Sequence, residues 1–169
     1  VRAASITAVH LPRGGMPALG DNPLFLGCAD YRSTIASNAE SSGFTFPEEM
    51  RRHADKGTAL VTDKDPGDAE IAEVVSQAAA HSCIVLGTYN GHILQGQLRL
   101  AKALAATGLP MILVALRNPY DLRNMPDHVA TLAGWEYTRP LFDALWPVLN
   151  GTARPTGKLP LLTLTKAAE

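Results

Sequence analysis

Short apolar runs alternate along this chain with longer stretches of helical periodicity. Runs of about five residues that are apolar at nearly every position are typical of strands buried on both faces, as in parallel sheets. The predicted strands are residues 24–28, 58–62, 83–87, 111–116, 129–133 and 161–164.

The stretches between these runs have the spacing of helices with one apolar face. Asp65 is predicted to cap one helix, with Pro66 at its first helical position. Thr138 is predicted to cap the last helix, whose final turn Pro147 should kink or shorten. The predicted helices are residues 33–41, a helix that follows Asp65, residues 95–107, and a helix that Thr138 begins and Asn150 ends.

Strands that alternate with helices predict a particular architecture. Such connections are right-handed crossovers, so we expect an α/β protein, a flavodoxin-like three-layer αβα sandwich with a mostly parallel sheet of about five or six strands. Residues 24–165 are assigned to this sandwich and residues 166–169 to a tail. Residues 1–23, rich in Pro and Gly from residue 10 onward, are assigned to a linker or strap, and residues 40–57 to an irregular zone.

Composition narrows the function classes only moderately. The 169 residues include 15 basic and 16 acidic ones, and a formal charge of −1 without a basic block suggests neither a nucleic acid nor an anionic membrane as partner. No apolar stretch approaches the length of a membrane span, and no signal peptide is visible. The chain opens at Val1, as an excised or processed fragment would. Cys28 and Cys83 are expected to be buried and unpaired.

The polar cluster after residues 111–116 is the most informative local feature. The apolar run stops abruptly at Arg117, Asn118, Pro119, Tyr120 and Asp121. Pro119 cannot donate to a sheet ladder, so the strand must end there. The cluster therefore follows the carboxyl end of a buried strand, where open α/β sheets place ligands or partners.

Few residues offer catalytic chemistry. No carboxylate lies between Glu73 and Asp121, so the loops after the two central strands lack an acid for proton transfer until Asp121. The five histidines do not have metal-ligand spacing, and neither a metal nor a cofactor is expected. The loop from Gly87 to Gly91 stands where a phosphate loop would, but it matches no phosphate-binding pattern and can equally be a tight turn.

Several short motifs, in this order, resemble one family. They are SITAV at 5–9, MPAL at 16–19, VLGTYNG at 85–91 with Gln97, LRNPYDL at 116–122, WEYT at 135–138, VLNG at 148–151 and GKLP at 157–160. Together they resemble the C-terminal domain of glycoside hydrolase family 3, in the branch of two-domain bacterial β-N-acetylglucosaminidases. Ala18, Trp135 and Asn150 replace the usual Leu, Tyr and Phe of that pattern.

The resemblance implies that the chain is one part of a two-domain enzyme. In that family a TIM barrel precedes this domain and carries the aspartate nucleophile. Branches acting on glucosides take their acid/base glutamate from the loop after the strand matching residues 83–87, where this chain has Thr88 to His92 instead. A retaining mechanism needs two groups flanking the bond, and the N-acetylglucosaminidase branch supplies the second from a histidine–aspartate pair on the barrel.

The implied function is that of a non-catalytic accessory domain of a retaining β-N-acetylhexosaminidase. The whole enzyme would remove terminal N-acetylglucosamine from cell-wall or chitin-type glycans, as in peptidoglycan turnover, and the chain alone would be inactive. By resemblance the enzyme belongs to the cell envelope or the extracellular space, otherwise to the cytoplasm. The linker or strap of residues 1–23 would then come from the barrel, and the exposed docking face predicts a non-native dimer of the isolated chain.

Seven residues are candidates for contact with the barrel or with substrate, and each has a structural alternative. For Arg117 the alternative is to brace its loop by pairing with Asp121, and for Asp121 it is to cap the turn at Pro119. The loops 88–94, 117–124 and 135–138 are expected on one edge, and Lys158 in solvent. The seven are Asn90, His92, Arg117, Asn118, Tyr120, Asp121 and Tyr137.

Two other function classes stay open from the sequence. The first is an independent module that binds glycan or muropeptide, for which Tyr120 and Tyr137 could stack on a sugar, although interface packing explains both equally. The second is a flavodoxin-like domain that binds phosphate or a nucleotide through the Gly87–Gly91 loop.

Overall fold

A six-stranded, mostly parallel sheet organises the chain, described here from a computed structural model over residues 6–29 and 44–155. The strand order is β1-β6-β5-β4-β2-β3, and only β1 runs antiparallel to its neighbour. The strands are β1 (Thr7–His10), β2 (Pro23–Cys28), β3 (Thr58–Thr62), β4 (Cys83–Thr88), β5 (Met111–Ala115) and β6 (Val129–Ala133).

Helices cover both faces of this sheet. One face packs against α1 (Phe46–Ala54) and α4 (Arg139–Leu149), and the other against α2 (Asp68–Ala78) and α3 (Gly96–Ala105). Strands β2, β4, β5 and β6 are buried at every position, which is why their sequences are almost entirely apolar rather than alternating. The predicted three-layer αβα sandwich is therefore confirmed.

Strand β1 was not predicted, and it corrects part of the assignment of residues 1–23 to a linker or strap. Residues 7–10 pair with β6 at the edge of the sheet, with a register irregularity between Ala8 and His10. Four residues ending in a histidine are too short to show a strand period in the sequence. The predicted helix 33–41, the strand 161–164 and Lys158 lie outside the described residues.

Helix α1 replaces the irregular zone expected at residues 40–57. Its signals are local: the Thr45 hydroxyl accepts a hydrogen bond from the backbone N–H of Glu48, and Pro47 stands in the first turn. Arg51 and Arg52 in the last turn suit the negative end of the helix dipole. These signals are present in the sequence and should have predicted the helix.

The start of α2 also differs from its prediction. Gly67, not Asp65, is the residue before the helix, and it provides no side-chain cap. The Asp65 carboxylate instead accepts a hydrogen bond, 2.8 Å long, from the backbone N–H of Gly96 at the start of α3. A Cβ atom at Gly96 would lie 2.4 Å from the Pro66 carbonyl oxygen, so this close approach requires glycine.

Helix α4 begins as predicted and continues past its proline. The Thr138 hydroxyl accepts from the N–H of Leu141, and the helix runs to Leu149 with Pro147 in its last turn. The Pro147 carbonyl then accepts from the backbone N–H groups of Thr152 and Ala153, at 2.9 and 3.0 Å. These bonds satisfy a carbonyl that the helix leaves free at its end. Within the described residues, no helix is long and apolar enough to cross a membrane.

Cys28 and Cys83 are both buried and unpaired, as predicted. Burial in the core raises the pKa of the Cys83 thiol from 9.0 to about 12. The folded protein therefore keeps this thiol protonated at a pH where the unfolded chain would ionise it.

This difference predicts a loss of stability in alkali. The contribution of Cys83 is fully present below pH 9 and is lost as the pH rises toward about 12, by up to about 1.4 kcal/mol per pH unit. Urea unfolding of the protein and of Cys83→Ala should therefore show a stability difference that shrinks above pH 9. A difference that stays constant would contradict the raised pKa.

Candidate functional site

The loops that follow β4, β5 and β6 lie along one edge of the sheet. Because these parallel strands are neighbours, their carboxyl ends bring together residues 88–94, 117–124 and 135–138. We call these three loops the carboxyl edge. It contains all seven residues that the sequence singles out.

A buried carboxylate joins the first two of these loops. Asp121 is 1 % exposed, and its Oδ2 and Oδ1 accept hydrogen bonds from the backbone N–H groups of Gly91 and His92, at 2.9 and 2.7 Å. Hydrogen bonds to a charged acceptor are the strong ones. We call this pair of bonds the Asp121 clamp. It fixes loop 88–94 against a residue 29 or 30 positions away.

The turn at Pro119 is capped by Asn118, which corrects the prediction that Asp121 caps it. Residues Pro119–Leu122 form a 3-10 helix, and the Asn118 Oδ1 accepts from the N–H of Tyr120 at 3.0 Å. The short polar side chain immediately before the proline is the cap, so Asp121 is free to turn inward.

The His92 ring lies between the clamp and Asn118. Its Nδ1 lies 3.7 Å from Asp121 Oδ1, and its Nε2 lies 3.5 Å from the Asn118 amide nitrogen. Since the Asn118 Oδ1 accepts from the N–H of Tyr120, it is the NH₂ group of Asn118 that faces the His92 ring. The side chain is about one-third exposed and forms part of the surface.

Arg117 pairs with a tyrosine and not with Asp121. Its Nη1 donates to the Tyr89 hydroxyl oxygen at 3.0 Å, and its guanidinium lies 5.7 Å from the centre of the Tyr89 ring. The structural alternative, a pair with Asp121, is therefore wrong, and Arg117 instead joins loop 117–124 to Tyr89 of loop 88–94. Asp121 is unavailable because both of its oxygens face the backbone of the neighbouring loop.

Loop 88–94 is also fixed from within. Asn90 is buried, has a left-handed backbone (φ 58°), and its carbonyl accepts from the N–H groups of Ile93 and Leu94. Gln97, also buried, exchanges hydrogen bonds with both backbone groups of Tyr89, at 2.8 and 2.9 Å. Asn90 therefore stabilises the conformation of its loop and does not form part of the surface. Sequence reasoning cited Gln97 only as part of a motif.

Tyr137 is buried in an aromatic cluster, so it cannot stack on a sugar. Its hydroxyl accepts from the N–H of Phe46 at 2.7 Å and donates to the Cys28 carbonyl at 3.0 Å. Its ring is 5.0 Å from that of Phe142 and 5.4 Å from that of Tyr89. Edge-to-face pairs of this kind stabilise a core beyond the area they bury.

The crevice in which α/β sheets usually bind ligands is filled by protein. The chain order reverses between β2 and β4, where Gly27 pairs with Gly87. A Cβ atom at Gly87 would lie 2.6 Å from the Phe46 ring, so this glycine makes room for the first side chain of α1. The switch point of the sheet is thus packed rather than open.

The glycine loop after β4 likewise serves packing. Gly87 contacts Phe46, and the Gly91 N–H, which a phosphate would need, is given to Asp121. The hypothesis of a phosphate or nucleotide site is therefore not favoured, because the backbone N–H of Gly91 is not available to bind a phosphate oxygen. Among the described residues, no group of three His, Cys, Asp or Glu side chains could hold a metal ion.

A second buried carboxylate, Glu49, was missed by sequence reasoning. Its Oε1 lies 2.9 Å from Arg52 Nη2 and 3.4 Å from Arg139 Nε, so it joins α1 to the start of α4. Arg139 also lies over the Phe44 ring, 4.8 Å from its centre. The i, i+3 spacing of Glu49 and Arg52 was the visible signal.

The exposed part of loops 88–94 and 117–124 is apolar and cationic. Ile93 is 66 % exposed and Tyr120 is 40 % exposed, with the Arg123 guanidinium 4.4 Å from the Tyr120 ring centre. Arg117 is exposed as well, whereas the only carboxylate of residues 88–124 is the buried Asp121. This surface can bind a partner, but loops 88–94 and 117–124 offer no acid for general catalysis.

Comparison with known proteins identifies the fold. No family model matches the chain, and no curated protein matches it. Among solved structures, a glycoside hydrolase family 3 β-N-acetylglucosaminidase from Paenibacillus sp. str. FPU-7 matches 99 % of this chain with a TM-score of 0.81 and 23 % identity. A fungal multi-domain GH3 β-N-acetylglucosaminidase matches 94 % of this chain with a TM-score of 0.69 and 19 % identity. A β-glucosidase from Listeria innocua matches 91 % of this chain with a TM-score of 0.69 and 15 % identity.

These likenesses confirm the fold that the sequence resemblance implied. The chain spans 32 %, 18 % and 25 % of the three solved chains, in the same order. Each of those proteins therefore has most of its length outside the matched part.

Removing the clamp should destabilise the protein. Asp121→Ala leaves the buried Gly91 N–H and the His92 N–H without their acceptor, and we expect a loss of about 3 kcal/mol in the free energy of unfolding. Asp143→Ala is the matched control, because Asp143 is 65 % exposed and, within residues 6–29 and 44–155, forms an ion pair with His53 alone, so it should cost at most about 1 kcal/mol. If urea unfolding shows that both variants lose the same free energy of unfolding, the clamp does not stabilise the protein.

The two tyrosines of the carboxyl edge should respond differently to loss of the hydroxyl. Tyr137→Phe leaves a buried N–H and a buried carbonyl without their partner and should cost about 1–3 kcal/mol. Tyr120→Phe removes a hydroxyl from an exposed ring and should change stability by less than about 0.5 kcal/mol. Thermal unfolding of both variants tests this, and a destabilised Tyr120→Phe would contradict it.

Proposed function

We propose that this chain is the non-catalytic C-terminal accessory domain of a retaining β-N-acetylhexosaminidase of glycoside hydrolase family 3. The observation that carries the proposal is the match to the Paenibacillus β-N-acetylglucosaminidase, which extends over 99 % of this chain but only 32 % of that enzyme. The ordered motifs of the sequence support the same branch. A TIM-barrel catalytic domain would make up the remainder of the protein.

The fate of the carboxylates supports a non-catalytic role. Retaining hydrolysis needs two groups on either side of the scissile bond, a nucleophile and an acid/base. On loops 88–94 and 117–124 the only carboxylate is Asp121, and both of its oxygens are occupied by backbone N–H groups in a site closed to solvent. His92 faces Asn118 with its outer nitrogen. Loops 88–94 and 117–124 therefore offer no free carboxylate to the reaction, and the catalytic groups would belong to the barrel.

The carboxyl edge is the proposed docking surface. Its loops are fixed by the clamp, by Gln97 and by Tyr137, so little conformational entropy would be lost when a partner binds. Ile93 and Tyr120 supply exposed apolar area. The exposed Arg117 suits an acidic rim on the barrel.

The substrate class is proposed from the same two β-N-acetylglucosaminidases. The whole enzyme would release terminal N-acetylglucosamine from cell-wall or chitin-type glycans, a step in peptidoglycan turnover. This domain would shape the cleft from one side without taking part in proton transfer.

The pure chain should not hydrolyse a chromogenic N-acetylglucosaminide faster than buffer alone does. The reading frame upstream of Val1 should encode a barrel.

That barrel, produced separately, should bind the chain. The substitution Ile93→Asp should weaken this binding at least about tenfold, since a charge would enter an apolar contact. Leu11→Asp is the control, because Leu11 is 39 % exposed but follows β1 toward the opposite edge.

Turnover by the pure chain would refute the non-catalytic role. Equal weakening by the two substitutions would refute docking through the carboxyl edge. Saturable binding of muropeptides to the chain alone, followed by the fluorescence of Trp135 and Trp146, would instead support an independent glycan-binding module.

A further inference from the structure

The chain contains two Asn-Gly pairs, Asn90–Gly91 and Asn150–Gly151, in very different surroundings. Asn-Gly is the dipeptide in which the backbone nitrogen of the second residue most readily attacks the side chain of the first, because glycine has no Cβ to obstruct the approach. Two such pairs in one chain allow their environments to be compared directly.

The reaction is deamidation through a cyclic imide. The glycine nitrogen loses its proton and forms a bond to the Cγ atom of asparagine, and the side-chain nitrogen leaves as ammonia. Water then adds to either carbonyl of the imide and opens the ring, which gives aspartate or isoaspartate. Water is the only co-reactant, and no electron transfer is involved. The glycine N–H must therefore be accessible and weakly held.

At Asn150–Gly151 these conditions are met. Both residues are exposed at the end of α4, and the Gly151 N–H makes only a long hydrogen bond of 3.3 Å to the Val148 carbonyl. Apart from its chain neighbours, no atom of the described part of the chain lies within 4 Å of the position that a Cβ of Gly151 would take. The Asn150 Oδ1 accepts from the N–H and the hydroxyl of Thr152, at 3.0 and 2.7 Å, which polarises the amide toward attack.

At Asn90–Gly91 the same atoms are restrained. Asn90 is 5 % exposed, and the Gly91 N–H donates to the Asp121 carboxylate at 2.9 Å. A negative charge beside this nitrogen opposes its deprotonation. The space around Gly91 is also full, because a Cβ there would lie 2.9 Å from the Leu98 side chain.

We propose that Asn150 is a site of spontaneous deamidation and that the Asp121 clamp protects Asn90 from the same reaction. Asn90 should react at least about tenfold more slowly than Asn150 in the folded protein, since the charged hydrogen bond to Gly91 must first be broken.

Modification at Asn150 would act on the end of α4. A new carboxylate there faces the negative end of the helix dipole. Isoaspartate also lengthens the backbone by one carbon, which displaces the N–H groups of Thr152 and Ala153 from the Pro147 carbonyl. The last turn of α4, with the buried Val148 and Leu149, would then be weakened.

The experiment is incubation of the folded chain in mildly alkaline buffer, followed by peptide mapping. Conversion at each site is measured by the mass gain that accompanies replacement of an amide by an acid, and isoaspartate by enzymatic methylation. Asn150 should convert while Asn90 stays intact. In urea, where no clamp exists, the two sites should convert at similar rates. Asn150→Gln should remove the signal at 150 only.

Asp121→Asn tests the protective role, because it removes the charge but keeps one acceptor oxygen. If this variant stays folded, conversion at Asn90 should rise at least about tenfold. If Asp121→Asn does not fold, the comparison of conversion at Asn90 and Asn150 in the folded and the urea-unfolded chain still tests the protective role. Equal rates at the two sites in the folded chain would overturn the protective role. Absence of conversion at Asn150 under conditions that convert the unfolded chain would overturn the modification site.

Discussion

Strands β2, β4, β5 and β6 are covered by helices on both faces, so nearly all of their side chains are apolar, with Thr131 in β6 and Thr88 at the end of β4 as the exceptions. This constraint confines charged side chains to the ends of these strands. A carboxylate can be accommodated there only if its oxygens are satisfied, and Asp121 meets that requirement by accepting backbone N–H groups from the neighbouring loop. The carboxyl edge is rigid because it is the place where a buried sheet meets polar side chains.

The fold could be predicted from the sequence because its main signal is local. The continuous run at residues 111–116 and the capping threonine at 138 each specify an element without reference to the rest of the chain. Helix α1 has equally local signals at Thr45 and Glu48, and these are sufficient to predict a helix there. Strand β1 is different, since only its pairing with β6 makes four residues a strand.

The candidate site could be located from the sequence but not resolved into contacts. A parallel sheet brings the ends of β4 and β5 together, so grouping the loops needed only strand order. The partners of Arg117 and Asp121, however, lie 28 to 30 residues away and depend on side-chain direction. Local reasoning paired these residues with their nearest sequence neighbours, and the structure pairs both with loop 88–94.

The Tyr137 hydroxyl bridges the carbonyl of Cys28 and the N–H of Phe46, the two points between which the chain leaves β2 and enters α1. A residue from a distant loop thus holds the base of the intervening segment closed, whatever the length of that segment. Loop-closure entropy grows only slowly with length, by about 0.6 kcal/mol for each doubling. The free-energy cost of joining the end of β2 to the start of α1 therefore depends only weakly on how many residues lie between Cys28 and Phe46.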